Sequence, residues 1–213
     1  HAKLGAAQVS GRLAANLSEP SGDLRMEGDW GGQPLALSLN ATRAADGTLD
    51  LTLDGSHLAG IAANGRMQLP AGATLPQGNL KLATSSLAEL RPLLGQDLAG
   101  SLDLSLNLTA TQANLTGIGK GLRLPGALSI GQVNLEGQID DLTALAGIAA
   151  QLKVEGFASS EVTGDLTLTA KGPQTALELV ASSRLTSPLG PASLGLEAGI
   201  DIPGHRLSIN KLE

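Results

Sequence analysis

Residues 100–110, GSLDLSLNLTA, alternate in steps of two: Leu102, Leu104, Leu106 and Leu108 fall on one side of an extended chain, and Asp103, Ser105 and Asn107 on the other. A period of two marks a β-strand with one apolar and one solvated face. The same pattern recurs along almost the whole sequence. Leu35, Leu37 and Leu39 share a face in residues 35–41, and Leu49, Leu51 and Leu53 do so in 48–55. Ile61, Ala63, Gly65, Met67 and Leu69 continue it, followed by Leu80 and Leu82. Farther on come Val133, Leu135 and Ile139, then Leu152 and Val154, then Val162, Leu166 and Leu168, then Leu177 and Leu179. Leu194, Leu196, Ile200 and Ile202 follow, with Leu207 and Ile209 last. The pattern predicts roughly 13–15 strands.

What separates these runs is turn chemistry. Asp46-Gly47 is a strong hairpin signal. Residues 18–23, 69–78, 171–174 and 202–205 are proline- and glycine-containing loops. Short connections imply antiparallel neighbours, so the sheet is expected to be a meander. A loose refrain of Gly, polar, Leu, polar, Leu appears as GTLDLTL, GNLKL, GSLDLSL and GDLTL. Its spacing is irregular, which argues against a solenoid with rungs of fixed length. Gly28, Gly65, Gly137, Gly156 and Gly164 fall inside expected strands. Such glycines mark bulges or bends, and here they predict a curved sheet.

One segment breaks the rhythm. In residues 85–100, SSLAELRPLLGQDLAG, Ser86 and Glu89 stand at capping-box spacing and Gly95 is a natural stop. Leu87, Leu90, Leu93 and Leu94 have helical spacing, while Pro92 limits the helix to a short or kinked piece near 86–94. Residues 140–150 read either as a second helical turn or as a linker. Residues 117–126, GIGKGLRLPG, lack the order of a phosphate-binding loop and read as a flexible hairpin loop.

Composition sharpens the picture. Leucine is the commonest residue, at about one position in five, while Trp30 and Phe157 are the only aromatics. β-Sheet cores normally lean on aromatic and β-branched side chains; here Leu and Ala stand in their place. The formal net charge is -6, with no basic cluster and nothing to stack on bases, so nucleic-acid binding is excluded as a reading. Cysteine is absent, which removes disulfides and thiolate metal sites. The longest mostly apolar run, residues 142–152, is about half what a bilayer-spanning helix needs. The chain starts at His1 rather than Met and reads as a piece of a longer protein.

Chemistry of the catalytic kind is not legible. His1, His57 and His205 have no ligand spacing to one another. Asp50, Asp103, Glu136, Asp165, Glu178 and Glu197 fall on the polar side of strands, as a solvated face requires. Asp46, Asp50 and Asp54 hint at calcium but lack the order of a calcium loop. No nucleophile elbow occurs. The sequence therefore predicts no enzyme, no catalytic residue, no metal site and no cofactor.

The leucine face holds the remaining information. Alternating leucines are usually a closed core. Three considerations point elsewhere. A meander of this many strands exceeds what a flat open sheet carries, so it must curl, split or close. Stacked strands would make it roughly 60–70 Å long. And no second class of element is predicted to cover the apolar side. The candidate apolar lining is Leu35, Leu37, Leu39, Leu49, Leu51, Leu53, Ile61, Met67, Leu102, Leu104, Leu106 and Leu108. It continues with Val133, Leu135, Leu152, Val154, Leu166, Leu168, Leu177, Leu179, Leu194, Leu196, Ile200 and Ile202.

Residues 86–110, SLAELRPLLGQDLAGSLDLSLNLTA, resemble the TamB family, in which a short helical segment leads into a leucine-alternating strand. GQVNLEGQIDDL and GDLTLTAKGPQTALELVA resemble the same family's repeated hairpins, a texture that AsmA-like relatives share. The resemblance implies an all-β fold over residues 1–213: one elongated antiparallel meander folded into a U-shaped trough, or β-taco, with an apolar interior. It also implies a periplasmic location, tethered to the inner membrane of a Gram-negative envelope in the full-length protein. The implied partners are phospholipid, a TamA-like outer-membrane barrel and nascent outer-membrane proteins. The implied role is conducting acyl chains between the two membranes and helping outer-membrane protein assembly. Two other readings of the same residues stay open. One is an interaction module that binds nascent β-strands by β-augmentation; the other is a closed β-sandwich of structural role.

Overall fold

The computed structural model describes residues 7–16 and 21–213. His1 and residues 18–20 of the first expected loop lie outside the described residues. The fold is all-β. Fourteen strands are described, in two compact units, His1–Ala110 and Thr111–Glu213.

The first unit carries β1 (Ala7–Asn16), β2 (Ser21–Trp30), β3 (Gln33–Arg43), β4 (Leu49–Leu58), β5 (Ile61–Leu69), β6 (Gln77–Thr84) and β7 (Ala99–Leu108). The second carries β8 (Ala113–Leu124), β9 (Leu128–Asp141), β10 (Ala146–Ala158), β11 (Thr163–Gly172), β12 (Leu177–Ser187), β13 (Gly190–Asp201) and β14 (Arg206–Leu212). Within each unit every strand pairs antiparallel with its sequence neighbours, in chain order, and the last strand does not return to the first. Each unit is thus an open meander, as the short connections predict. Substantial contacts run only between consecutive strands, together with those of one short helical connection. Among the described residues no second layer of strands or long helix packs on either unit.

The register explains why leucines recur at every second position. Directly opposed residues of an antiparallel pair point to the same side. Leu24 stands opposite Leu39, Leu39 opposite Leu53, and Leu51 opposite Met67. Leu80 meets Leu106 and Leu82 meets Leu104. Each such apolar pair contributes about 0.2–1 kcal/mol, so a sheet without a second layer is held by its ladders and by leucines covering one another sideways.

The Asp46-Gly47 hairpin forms as expected. Gly47 takes φ 87°, its N–H donates to Ala44 O at 2.9 Å, and Asp46 Oδ1 accepts the Thr48 N–H at 2.9 Å. Two bulges share one design. Gly55 in β4 and Gly156 in β10 have φ 62° and 64° and sit where the pairing register shifts. In each, the bulge glycine N–H is accepted by a side chain of the opposing strand: Asn64 Oδ1 at 3.0 Å and Asp165 Oδ1 at 2.9 Å. A left-handed glycine of this kind adds one residue and reverses the phase of the alternation.

Several expectations change. Residues 117–126 are not a loop; β8 runs through to Leu124, and the turn follows. Gly117 and Gly119 are buried on the apolar side, opposite Leu135 and Val133. A β-carbon at Gly119 would stand 3.1 Å from Leu122 Cδ1, so the missing side chains make room for large neighbours. Residues 140–150 hold no helix. β9 extends to Asp141, whose Oδ1 accepts the Thr143 and Ala144 N–H groups at 2.8 and 3.0 Å, and β10 begins at Ala146. Gly28 and Gly137 sit in unbroken register rather than at bulges. Gly65 marks a close approach instead: a β-carbon there would lie 2.5 Å from Asn79 O.

The short helix forms near its expected place, as a 3-10 turn, Leu87–Leu90, followed by α1, Arg91–Leu94. Pro92 is in the first turn of α1, where its missing N–H costs nothing. Gly95 closes it with φ 67° and an N–H to Arg91 O bond of 2.8 Å. The expected capping box does not: Ser86 makes no side-chain cap, and its own N–H donates to Thr84 Oγ1 at 3.2 Å.

The leucine face as candidate functional site

In the first unit the register gathers every predicted lining residue on one side. Leu35, Leu37 and Leu39 of β3, Leu49, Leu51 and Leu53 of β4, Ile61 and Met67 of β5, and Leu102, Leu104, Leu106 and Leu108 of β7 all share it. Leu24, Met26 and Trp30 of β2, Leu80 and Leu82 of β6, and Leu58 of β4 join them. The opposite side carries Asp23, Arg25, Glu27, Asn40, Asp50, Arg66, Lys81 and Asp103.

The second unit repeats the separation. Val133, Leu135, Leu152, Val154, Leu166, Leu168, Leu177, Leu179, Leu194, Leu196 and Ile200 fall on one side. Ile148, Leu207 and Ile209 lie with them. Ile202 departs from the prediction. It follows the end of β13, in the turn to β14, and is 50% exposed. Past the Gly156 bulge the register brings Phe157 opposite Gly164 and Ile130, and Ile130 opposite Leu122, so the phase change keeps large side chains on the leucine side. Alternation alone does not place Leu58 or Phe157 there, because each lies beyond a bulge, and the dipeptides Asp54-Gly55 and Glu155-Gly156 look no different in sequence from Glu27-Gly28 and Glu136-Gly137, which stay in register.

Most of the face is half-covered, with Leu166, Leu194, Leu207 and Ile209 more exposed. Among the described residues no large side chain is fully buried, and the buried apolar residues are only Ala59, Leu177 and Ala198. A closed sandwich of this length would bury many large side chains completely. Away from the short helical connection, the leucine side is therefore a surface screened by its own neighbours along the sheet.

Its chemistry is uniform. Aliphatic carbon dominates, interrupted by glycine, alanine and a few hydroxyls such as Ser56, Thr84 and Ser183. Ser56 is satisfied locally: its Oγ accepts the Ser38 N–H at 2.9 Å. No buried side-chain nitrogen or oxygen lacks a partner among the described residues. Except at strand ends, where Arg43 stands opposite Leu49 and Asp141 opposite Ala146, charge is kept to the other side. There Asp50 is held below the ordinary carboxylate value of 3.8 by hydrogen bonds from Gln68 (2.6 Å) and Arg66 (3.1 Å). Asp46 is lowered chiefly by the Thr48 N–H in its turn.

The polar side of the second unit has relief of its own: a shallow hollow of about 650 Å³ across β8–β12, lined by Asn114, Gln138, Ala149, Gln151 and Lys171. His57 Nδ1 is 3.4 Å from Gly55 O and His205 Nδ1 is 3.1 Å from Pro203 O. Among the described residues no three His, Asp or Glu side chains gather to hold a metal ion, and no helix is long and apolar enough to cross a membrane. No family model, no curated protein and no solved structure matches the chain.

Proposed function

We propose that this chain is a periplasmic segment of a TamB-like, inner-membrane-anchored protein whose leucine face conducts phospholipid acyl chains between the inner and outer membranes and supports outer-membrane protein assembly. The observation that carries the reading is a leucine face on consecutive strands over which, among the described residues, no second sheet packs, with charge reaching it only at strand ends such as Arg43. Its occupant must be apolar. It must also do without backbone hydrogen bonds, because a sheet face has spent its N–H and C=O groups within its own ladders. A hydrocarbon chain meets both conditions; a peptide strand lying on the face meets only the first.

Energetics favour the same occupant. Each methylene removed from water gains about 0.8 kcal/mol. A sixteen-carbon chain covered on one side gains on the order of 6 kcal/mol, enough to hold it against release into water. Sliding along the face exchanges one leucine contact for another and changes little. The headgroup stays in solvent, and no polar handle arrests the chain.

The deciding experiment places a photo-crosslinking residue at Leu104 or at its neighbour Asp103 in cells, followed by mass spectrometry of the purified protein. Phospholipid attached at Leu104 and not at Asp103 is the expected result. A folded protein with lipid at neither position sinks the conduit and leaves the strand-binding reading.

A further inference from the structure

The longest connection among the described residues of the first unit is residues 85–98, which leave β6 at Thr84 and return at β7. Three observations lay it over one end of the leucine face. First, among the described residues of this unit the buried ones are Ser56, Ala59 and Thr84, all at the end where this strap leaves the sheet. Ser56 and Thr84 belong to the leucine side, opposite Ala63 and Leu102, whereas His57 and Ala62 on the polar side of the same end are exposed. The cover thus lies on the leucine side. Second, the strap touches two hairpin tips of that end. A β-carbon at Gly31 would stand 3.2 Å from Leu93 Cδ2, and one at Gly60 would collide with the Glu89 carboxylate. Third, the strap presents a leucine row of its own. A 3-10 turn eclipses residues three apart, and Leu87, Leu90 and Leu93 are half-buried while Leu94 is 51% exposed.

Its attachment is weak. Ser86 provides no side-chain cap, and the Arg91–Asp97 ion pair of 2.9 Å is exposed on both sides, so it contributes little. The tether that reaches the face is the Ser86 N–H to Thr84 Oγ1 bond. Gly95, left-handed at φ 67°, stands at the other foot as a hinge.

We infer that the strap is a self-cover for this end of the leucine face, its leucines holding the place of an acyl chain and giving way when one arrives. This inference rests on the lipid reading and adds the regulation of that site. Trp30, the chain's one tryptophan, lies on the leucine face beside Gly31 and is a built-in reporter of the exchange.

The test uses the full chain with a photo-crosslinking residue in place of either Leu58, at the strap end, or Leu106, at the far end of β7. Dodecylphosphocholine below its micelle threshold is the probe, and labelling is read by mass spectrometry. Leu93→Asp loosens the strap; Thr84→Val, which removes only the tether, is the milder variant should the first not fold. Labelling at Leu58 is expected to rise roughly tenfold in either variant and to stay level at Leu106, and Trp30 emission of the unaltered chain is expected to shift on adding the probe. Leu58 labelled as strongly as Leu106 with the strap intact overturns the cover. So does a Leu58 signal that neither variant changes, while a labelled Leu106 leaves the lipid reading standing. No label at Leu106 in any of these proteins defeats the lipid reading, and the cover falls with it.

Discussion

Gly78 opens β6 at φ 139°, and a β-carbon there would run into Arg66 O of the neighbouring strand. Two costs add at this position: a backbone conformation that side chains rarely adopt, and a collision with backbone, which has no rotamer to yield. Gly72, in the turn between β5 and β6, has φ 77° but open space around the same point. Only the first cost applies there. Gly72→Ala is expected to lower stability by about 1 kcal/mol and Gly78→Ala by about 3 kcal/mol, read from urea midpoints. Equal losses would mean that the ladder between β5 and β6 relaxes freely around the collision. The comparison isolates what the strand glycines do here: they let neighbouring backbones and large leucines come close where any β-carbon would intrude.

At the scale of the strand, the question is what a leucine on this face is worth. Removing a leucine from a closed core costs about 2–5 kcal/mol, because the lost transfer energy is joined by a cavity. Leu104 stands opposite Leu82 on a face where, among the described residues, no large side chain is fully buried, so no closed cavity can form. Leu104→Ala is expected to cost about 1 kcal/mol, the value of one cross-strand pair and part of its area. A loss near 4 kcal/mol in chemical denaturation would show that this side is covered in solution. Much of the strand arrangement was legible in the sequence for a simple reason: a sheet with one solvated side writes its period directly into the residues, and antiparallel pairing preserves it from strand to strand. Leu35 to Leu39 and Leu102 to Leu108 could be placed on one side from parity alone. Parity fails at Gly55 and Gly156, where one added residue reverses the phase and sends Leu58 and Phe157 to a side that counting by twos does not assign. It fails again at residues 117–124, where glycine density reads as a loop although Gly117 and Gly119 are there to make room within β8. Whether the leucine side is bare or covered is a property of layers, and no local pattern carries it.

Across the molecule, stability is nearly a sum of neighbour terms. Within each unit a strand contacts the strand before it and the strand after it, and among the described residues no core joins distant strands. Chains built this way behave like repeat arrays, in which damage spreads to adjacent elements and fades beyond them. Gly164 provides the lesion. It lies in β11 opposite Phe157 and Leu185, and a β-carbon there would strike Arg184 O of β12. Gly164→Ala should speed amide exchange in β10, β11 and β12. The amides of β2–β5, in the other unit, should exchange as they do in the unaltered chain. A uniform loss of protection over both units would mean that the chain unfolds as one cooperative body, which nearest-neighbour contacts alone do not produce. Local opening of this kind would suit the proposed conduit, in which the face admits a chain at one point while staying folded elsewhere, since the cost of parting two strands is then set by those strands and not by the whole sheet.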